Sequence, residues 1–279
     1  MRKKFMTEAG LLLIGIPVLL WTVIPVYHML LFALSTKDSA MAGHLFPENP
    51  TLQNFSMVFR QQHHYLEFFW NQLLSSTIIA FSVGVLTLLI AALAAFAISR
   101  LRVTGGRWLM NAALFTYFIP AAFLAVPMYK AVSNYGLIDT KLGMILAMTT
   151  LATPYAIWVL KQASDKLPVE LDEAAIIDGA TAFQLFRLVY IPLISPAMVA
   201  IGIYAVLLAW NEYLYAFLLM SKEREVPLSV ALGLFLSADD SPWELLMATG
   251  FLYALPPAAI YYAFKRYMVG GLTAGAVKA

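Results

Sequence analysis

Six long apolar runs separated by short polar connections make up most of the chain, at roughly 10–34, 72–98, 108–129, 137–160, 193–219 and 244–264. A helix that crosses a membrane needs about 20 mostly apolar residues, and each run reaches that length. None alternates apolar and polar positions as a barrel strand would, and backbone groups in lipid must pair within their own segment, so each run is predicted to be helical. Prolines interrupt several of them: Pro17 and Pro25 in the first, Pro120 and Pro127 in the third, Pro154 in the fourth, and Pro256–Pro257 in the sixth. Each removes a backbone donor and bends its helix. Small residues four apart, Ala91/Ala95 and Gly143/Ala147, allow helices to approach closely. The pattern predicts an all-α membrane protein of six bent, tightly packed spans in a single transmembrane domain over residues 1–279.

Composition supports this reading and charge adds a direction. Of 279 residues, 61% are hydrophobic and only 12% charged, with a mean hydropathy of +0.76; a soluble domain carries about 25% charged residues. The net charge of +2, with lysines and arginines scattered, argues against nucleic acid as a partner. Without cysteine there are no disulfides, iron–sulfur clusters or thiol catalysis. The apolar run after MRKKFMTEAG is too long for a signal peptide and lacks a small-x-small cleavage site, so it is read as a retained first span. Twelve basic residues fall in four segments: Arg2, Lys3 and Lys4; Arg100, Arg102 and Arg107; Lys161, Lys166 and Arg187; Lys265, Arg266 and Lys278. Six fall in the other three connections. The positive-inside rule then predicts both termini and the even-numbered connections on the cytoplasmic side.

The fourth connection, 161–192, is too long for a tight turn and crowds four acids into ELDEAAIIDGA at 170–180. Pro168 suits the first turn of a helix. Glu170, Asp172 and Glu173 then lie near the positive end of its dipole. Gly179 is a natural stop. Thr181-Ala-Phe-Gln184 matches a capping box that starts a second helix. Phe183, Phe186 and Val189 recur there at helical spacing, which predicts an amphipathic helix along the membrane surface before Pro192 and Pro196 lead into the fifth span. The acids of the first helix do not gather on one face. Composition leaves two readings open: a solvated loop helix, or a docking element in which Ala174 and Ala175 admit a partner surface and Ile176 and Ile177 offer apolar contact.

Glu173-Ala174-Ala175, three residues, Gly179, nine residues, Val189, then Ile191-Pro192 resembles the EAA signature of permease subunits in binding-protein-dependent ABC importers. Val189 and Ile191 replace the consensus Ile and Leu, conservative departures. IDTKLGMIL (138–146), TPYAIWVLKQ (153–162), AWNEYLYAF (209–217), Leu255-Pro256 and the terminal GGLTAGAVKA resemble the carbohydrate importers, on the side of the maltose-type inner subunit with six spans. The resemblance covers essentially 10–279. It implies a cytoplasmic-membrane permease, bacterial or archaeal, paired with a second homologous permease. It also implies a sugar-binding protein, a sugar or oligosaccharide substrate, and an ATPase dimer that alone binds ATP and Mg, this chain holding no cofactor. The EAA segment would be a coupling helix docking on the ATPase, which makes Glu170, Asp172, Glu173, Ala174, Ala175, Asp178, Gly179 and Phe183 its candidate contacts. The glycine-rich tail would reach the ATPase through Lys278, unless it is simply a frayed terminus; Ala279 stands where the family commonly has glycine.

Glu212 is the one acid well inside a predicted span, and intramembrane acids are costly enough to suggest function. With Trp210, Asn211 and Tyr213 it offers aromatic surface and hydrogen bonds for a sugar, as pathway lining; the competing reading is an interfacial aromatic belt. His63-His64 lack partners at metal spacing and read as loop surface. The stretch 220–243 reads as an outward loop, reaching toward the binding protein by resemblance or partly buried by its VALGLFL run. The 270–278 stretch is no phosphate-binding loop, because lysine does not follow the second glycine. A stand-alone ion-coupled transporter would need more buried ionisable residues and broken inverted repeats. A membrane enzyme would need a nucleophile–base or metal constellation, and the sequence has none.

Overall fold

The computed structural model describes the backbone over residues 2–237 and 241–273, and side chains over 13–237 and 241–265. Every regular element among the described residues is helical. In chain order these are α1 (Arg2–Ala33), α2 (Lys37–Ala40), α3 (Gln53–Arg60), α4 (Phe69–Ser99), α5 (Gly106–Phe115), α6 (Ala121–Asn134), α7 (Lys141–Asp165), α8 (Glu170–Ile177), α9 (Ala182–Gln184), α10 (Ile191–Trp210), α11 (Leu214–Leu219), α12 (Leu228–Leu234) and α13 (Trp243–Thr273). Five helical segments are long and apolar enough to cross a membrane, and a sixth if one bent pair is a single span.

Packing divides the chain into two compact units, one of 1–69 with 232–255 and one of 70–231 with 256–279. In the first unit, the end of α1 is closed by a side chain from α3: Asn54 Nδ2 donates to the carbonyls of Ala33 (2.9 Å) and Ser35 (2.8 Å). Aromatic edges complete it, Phe55 with Phe251 at 6.0 Å and Tyr65 with Phe235 at 4.7 Å. In the second unit α4, α7 and α10 pack around Ala91, Ala92, Ala95, Phe96, Ala156, Leu160, Ile194 and Ile201. Small residues set the spacing between α4 and α10. A Cβ on Gly84 would stand 2.7 Å from Val206, and one on Gly202 would stand 2.9 Å from Leu88. Gly143 is small for another reason, since a Cβ there would meet the Leu137 carbonyl at 2.3 Å, just before α7.

Two predicted spans are not continuous helices. The run 108–129 divides into α5, a short 3-10 turn and α6, with a bend of 111°. Ile119 takes extended angles (φ −86°, ψ 121°), the conformation imposed on a residue before proline, and Pro120 becomes the cap of α6. Pro127 and Pro154, by contrast, remain inside α6 and α7. The run 193–219 ends its helix at Trp210, where Asn211 Nδ2 donates back to the Leu207 carbonyl at 2.9 Å, and α11 follows separately. In the stretch 220–243, Leu228, Val230 and Ala231 are buried, and the Leu228 N–H donates to Ser76 Oγ at 2.8 Å.

Helix α7 starts at Lys141, so Asp139 lies in the turn before it, in the left-handed region (φ 58°). Its carboxylate accepts from the Ser221 hydroxyl (2.7 and 2.9 Å) and the Ser221 N–H, and its own N–H donates to the Leu219 carbonyl at 2.9 Å. These donors hold the Asp139 carboxyl below its ordinary value of 3.8, the Ser221 N–H contributing most. A depressed folded-state pKa stabilises the fold above the unfolded-chain value, and that contribution is lost as pH falls through the lower folded value. Asp139→Asn keeps the left-handed backbone and loses the charge. Thermal unfolding is therefore expected to favour the native chain over Asp139→Asn at neutral pH, with the gap closing only below about pH 4.

Candidate functional site

The acidic stretch folds as α8, bounded by its own chemistry. The Val169 carbonyl accepts the N–H groups of Asp172 (2.9 Å) and Glu173 (3.1 Å), placing three acids in the first turn against the positive end of the dipole. Pro168 stands two residues ahead of the helix, not inside its first turn. At the other end Gly179 adopts φ +82°, its N–H donates to Ile176 (3.0 Å), and the Ala180 N–H reaches back to Ala175 (2.9 Å). That pair of bonds is the glycine-dependent helix stop. The predicted capping box follows: Gln184 N–H to Thr181 Oγ1 at 3.3 Å and Thr181 N–H to Gln184 Oε1 at 2.8 Å. The helix it starts is not separate from the one that follows. It runs from α9 through a π-helical turn, Leu185–Tyr190, straight into α10, because Leu185 and Tyr190 are buried against the α4/α7/α10 core.

Helix α8 has two dissimilar faces. Inward, Ala175 packs on the core and Asp172 meets Arg100 from the end of α4, Nη1 to Oδ2 at 2.9 Å. The Arg100 side chain is only 6% exposed, and its Nη2 also donates to the carbonyls of Ser164 (3.0 Å) and Leu167 (3.2 Å) at the end of α7. Ser99 and Ser164 hydroxyls share a further bond at 2.6 Å. Outward lie Glu170, Glu173, Ala174, Asp178 and Gly179, with Ile176 (60% exposed), Ile177 (85%) and Phe183 (66%). Large apolar side chains left open on a polar end of the molecule mark an interaction surface. Of the candidate contacts, Asp172 and Ala175 are therefore engaged within the chain, and the other six are exposed. Arg100 was missed by sequence reasoning. Its signal was a cation at the end of an apolar run, facing an acidic segment 72 positions later.

A second site lies where the third and fifth runs break. A cavity of about 550 Å³ is lined by residues including Thr116, Tyr117, Pro120, Thr150, Tyr204 and Glu212. Its tyrosines are held in place: Tyr117 Oη donates to the Leu151 carbonyl at 2.7 Å, and Tyr204 packs on Tyr155 at 4.9 Å. Of the four predicted lining residues, only Glu212 lines this cavity. It lies in the break between α10 and α11 rather than within a helix, and its carboxylate accepts the Tyr215 N–H at 3.0 Å. Trp210 is 1% exposed and belongs to the core, while Asn211 and Tyr213 are exposed elsewhere, Tyr213 stacked on Phe217. Lys278 lies outside the described residues.

The sequence profile described as "Binding-protein-dependent transport system inner membrane component" matches residues 87–273. The chain belongs to this family. An inner membrane ABC transporter permease protein of Escherichia coli (strain K12) is 31% identical over 93% of this chain and 92% of its own. A trehalose transport system permease protein of Mycobacterium tuberculosis (strain CDC 1551 / Oshkosh) is 32% identical over 92% and 93%. A bacterial ABC transporter involved in the import of the acidic polysaccharide alginate contains a chain of the same fold, with a TM-score of 0.79 at 21% identity, covering 95% of this chain and 97% of that one. The binding-protein-dependent permease family works as a component of a larger system, which decides against a transporter acting alone.

In this permease the Arg100–Asp172 pair is the testable joint. Arg100→Gln and Asp172→Asn are each expected to loosen the 161–182 connection by about 1–3 kcal/mol, since each leaves a largely buried partner unpaired. The double variant should cost less than the sum of the two. Hydrogen exchange of the α8 amides in the three variants measures this.

Proposed function

We propose that the chain is the translocation subunit of an ATP-driven sugar importer, contributing half of a two-permease pathway as one transmembrane permease domain. The membership of the family supports the transport role, and the trehalose permease relative supports a sugar as cargo. The observation that carries the reading is the exposed face of α8. Ile176 and Ile177 are open on a helix that ends at the Gly179 stop, is flanked by Glu170 and Glu173 and is fastened by a buried ion pair, and Phe183 is open just beyond it in α9.

In this reading α8 and both termini face the cytoplasm, and α8 docks on one subunit of an ATPase dimer that binds ATP and Mg. Ile176, Ile177 and Phe183 fill an apolar groove, Glu170 and Glu173 pair with bases at its rim, and Asp178 and Gly179 end the helix cleanly. Asp172, through Arg100, joins the docked helix to α4 and α7. A sugar-binding protein delivers cargo from the opposite side, near the 220–243 stretch. Tyr117, Tyr204 and Glu212 line the path, since aromatic faces and hydrogen-bonding groups suit a sugar.

Gly179→Trp tests the dock. The left-handed backbone strains any larger side chain there, and the indole would stand on the docking face. Membrane insertion is expected to survive while substrate-stimulated ATP hydrolysis by the reconstituted complex is lost; ordinary stimulation would sink the assignment. Reversal of Glu173 to a base is expected to weaken assembly, and reversal of a matching base on the ATPase to restore it.

A further inference from the structure

The proposed function leaves one built feature unused, a cavity of about 540 Å³ where α4, α5 and α7 end beside α8. Its lining includes Arg100, Arg102, Arg107 and Lys161, with Asp165 as the single acid. Two of the four cations are already matched, Arg100 by Asp172 and Lys161 by Asp165. Among the described residues, Arg102 and Arg107 have no carboxylate partner, and both are exposed at the cavity. With Asp172 counted beside the lining residues, the site is net positive by two charges.

Further donors point the same way. The cap of α5 is Gly105, which supplies no side-chain oxygen; Gly106 N–H donates to the Val103 carbonyl (3.1 Å) and Leu109 N–H to the Gly105 carbonyl (3.0 Å), which leaves the N–H groups of Arg107 and Trp108 open in the first turn of a ten-residue helix beside the cavity. Open N–H groups, a positive dipole end and two spare guanidinium groups together favour a phosphate anion. Beside them Leu101 (51% exposed), Val103 (52%), Leu109 (62%) and Trp108 (72%) present apolar side chains at the end of the spans. Tryptophan and arginine at that level are the usual company of lipid headgroups.

We infer that this cavity binds the phosphate of an anionic phospholipid, with Arg102, Arg107 and the α5 N-terminus holding the headgroup and Trp108 lying along the acyl chains. A basic pocket between span ends is the expected form of such a site. Its position beside the Arg100 joint puts a bound lipid against the segment that carries α8.

Native mass spectrometry of the purified transporter, incubated with equal amounts of phosphatidylglycerol and phosphatidylcholine, tests it. Preferential retention of phosphatidylglycerol is expected, falling about fivefold for each of Arg102→Gln and Arg107→Gln. Arg102→Lys with Arg107→Lys should keep most of the preference, and Lys166→Gln, outside the cavity, should leave it unchanged. Equal retention of the two lipids, or a preference indifferent to both glutamine substitutions, overturns the inference. Inorganic phosphate that saturates the site while phosphatidylglycerol gains nothing over phosphatidylcholine overturns the lipid as its source. Loss of ATPase attachment in the glutamine variants with lipid retention unaltered would assign the cavity to a protein partner instead. If the double lysine variant fails to fold, the single glutamine substitutions, both at exposed positions, carry the same comparison.

Discussion

Arg100 stands where the apolar run of α4 gives out, and its guanidinium gathers three chain segments that sequence keeps far apart. One nitrogen meets Asp172 of α8, another the carbonyls of Ser164 and Leu167 at and just past the end of α7, and the side chain is almost wholly withdrawn from solvent. Removing one partner of such a pair costs far more than the pair contributes, because a lone buried charge has nowhere to go. The short helix α8 buries little surface of its own, so this joint and Ala175 are what give it a fixed position. Its exposed apolar face depends on that anchorage, since an eight-residue helix is not stable alone in water.

The parts of this region that were legible in the sequence are the local ones. Gly179 had to be a stop because only a left-handed residue closes those two bonds, and Thr181 with Gln184 carries both halves of its capping box within four positions. Reading failed where the deciding partner was distant. Phe186 and Val189 have the spacing of a surface helix, yet Leu185 and Tyr190 on either side of them are buried on α4 and α7, which makes the segment continuous with α10. Asp172 and Glu173 are equivalent acids in sequence, and only the position of Arg100 makes one a structural residue and the other an open one.

The prolines teach the same lesson within single helices. Pro120, Pro127 and Pro154 each bring the same missing donor, but only Pro120 breaks the chain sharply. Its predecessor goes extended, and Tyr215 of α11 then holds the next carbonyl, Ala121, by a 2.7 Å bond. That interaction joins the break in the third run to the break in the fifth, where Glu212 starts α11. The two interruptions support one another across the second unit, and the cavity with Tyr117 and Tyr204 is the space they leave. Hydropathy sees only that both runs are long enough to cross, and so it draws them straight.

The helical segment that begins at the Thr181 cap has a mechanical property of its own. From Ala182 to Trp210 it stays helical over 29 residues, through the π-helical turn at 185–190. At about 1.5 Å per residue that is a rod some 43 Å long. Pivoted at its middle, a rod of that length turned by about 5° carries each end through about 2 Å, in opposite directions. One end lies directly after the stop of α8 and the other at the Asn211–Glu212 break beside the tyrosines. A small sideways displacement at the first end is thus converted, by geometry alone, into one of equal size and opposite sense at the second.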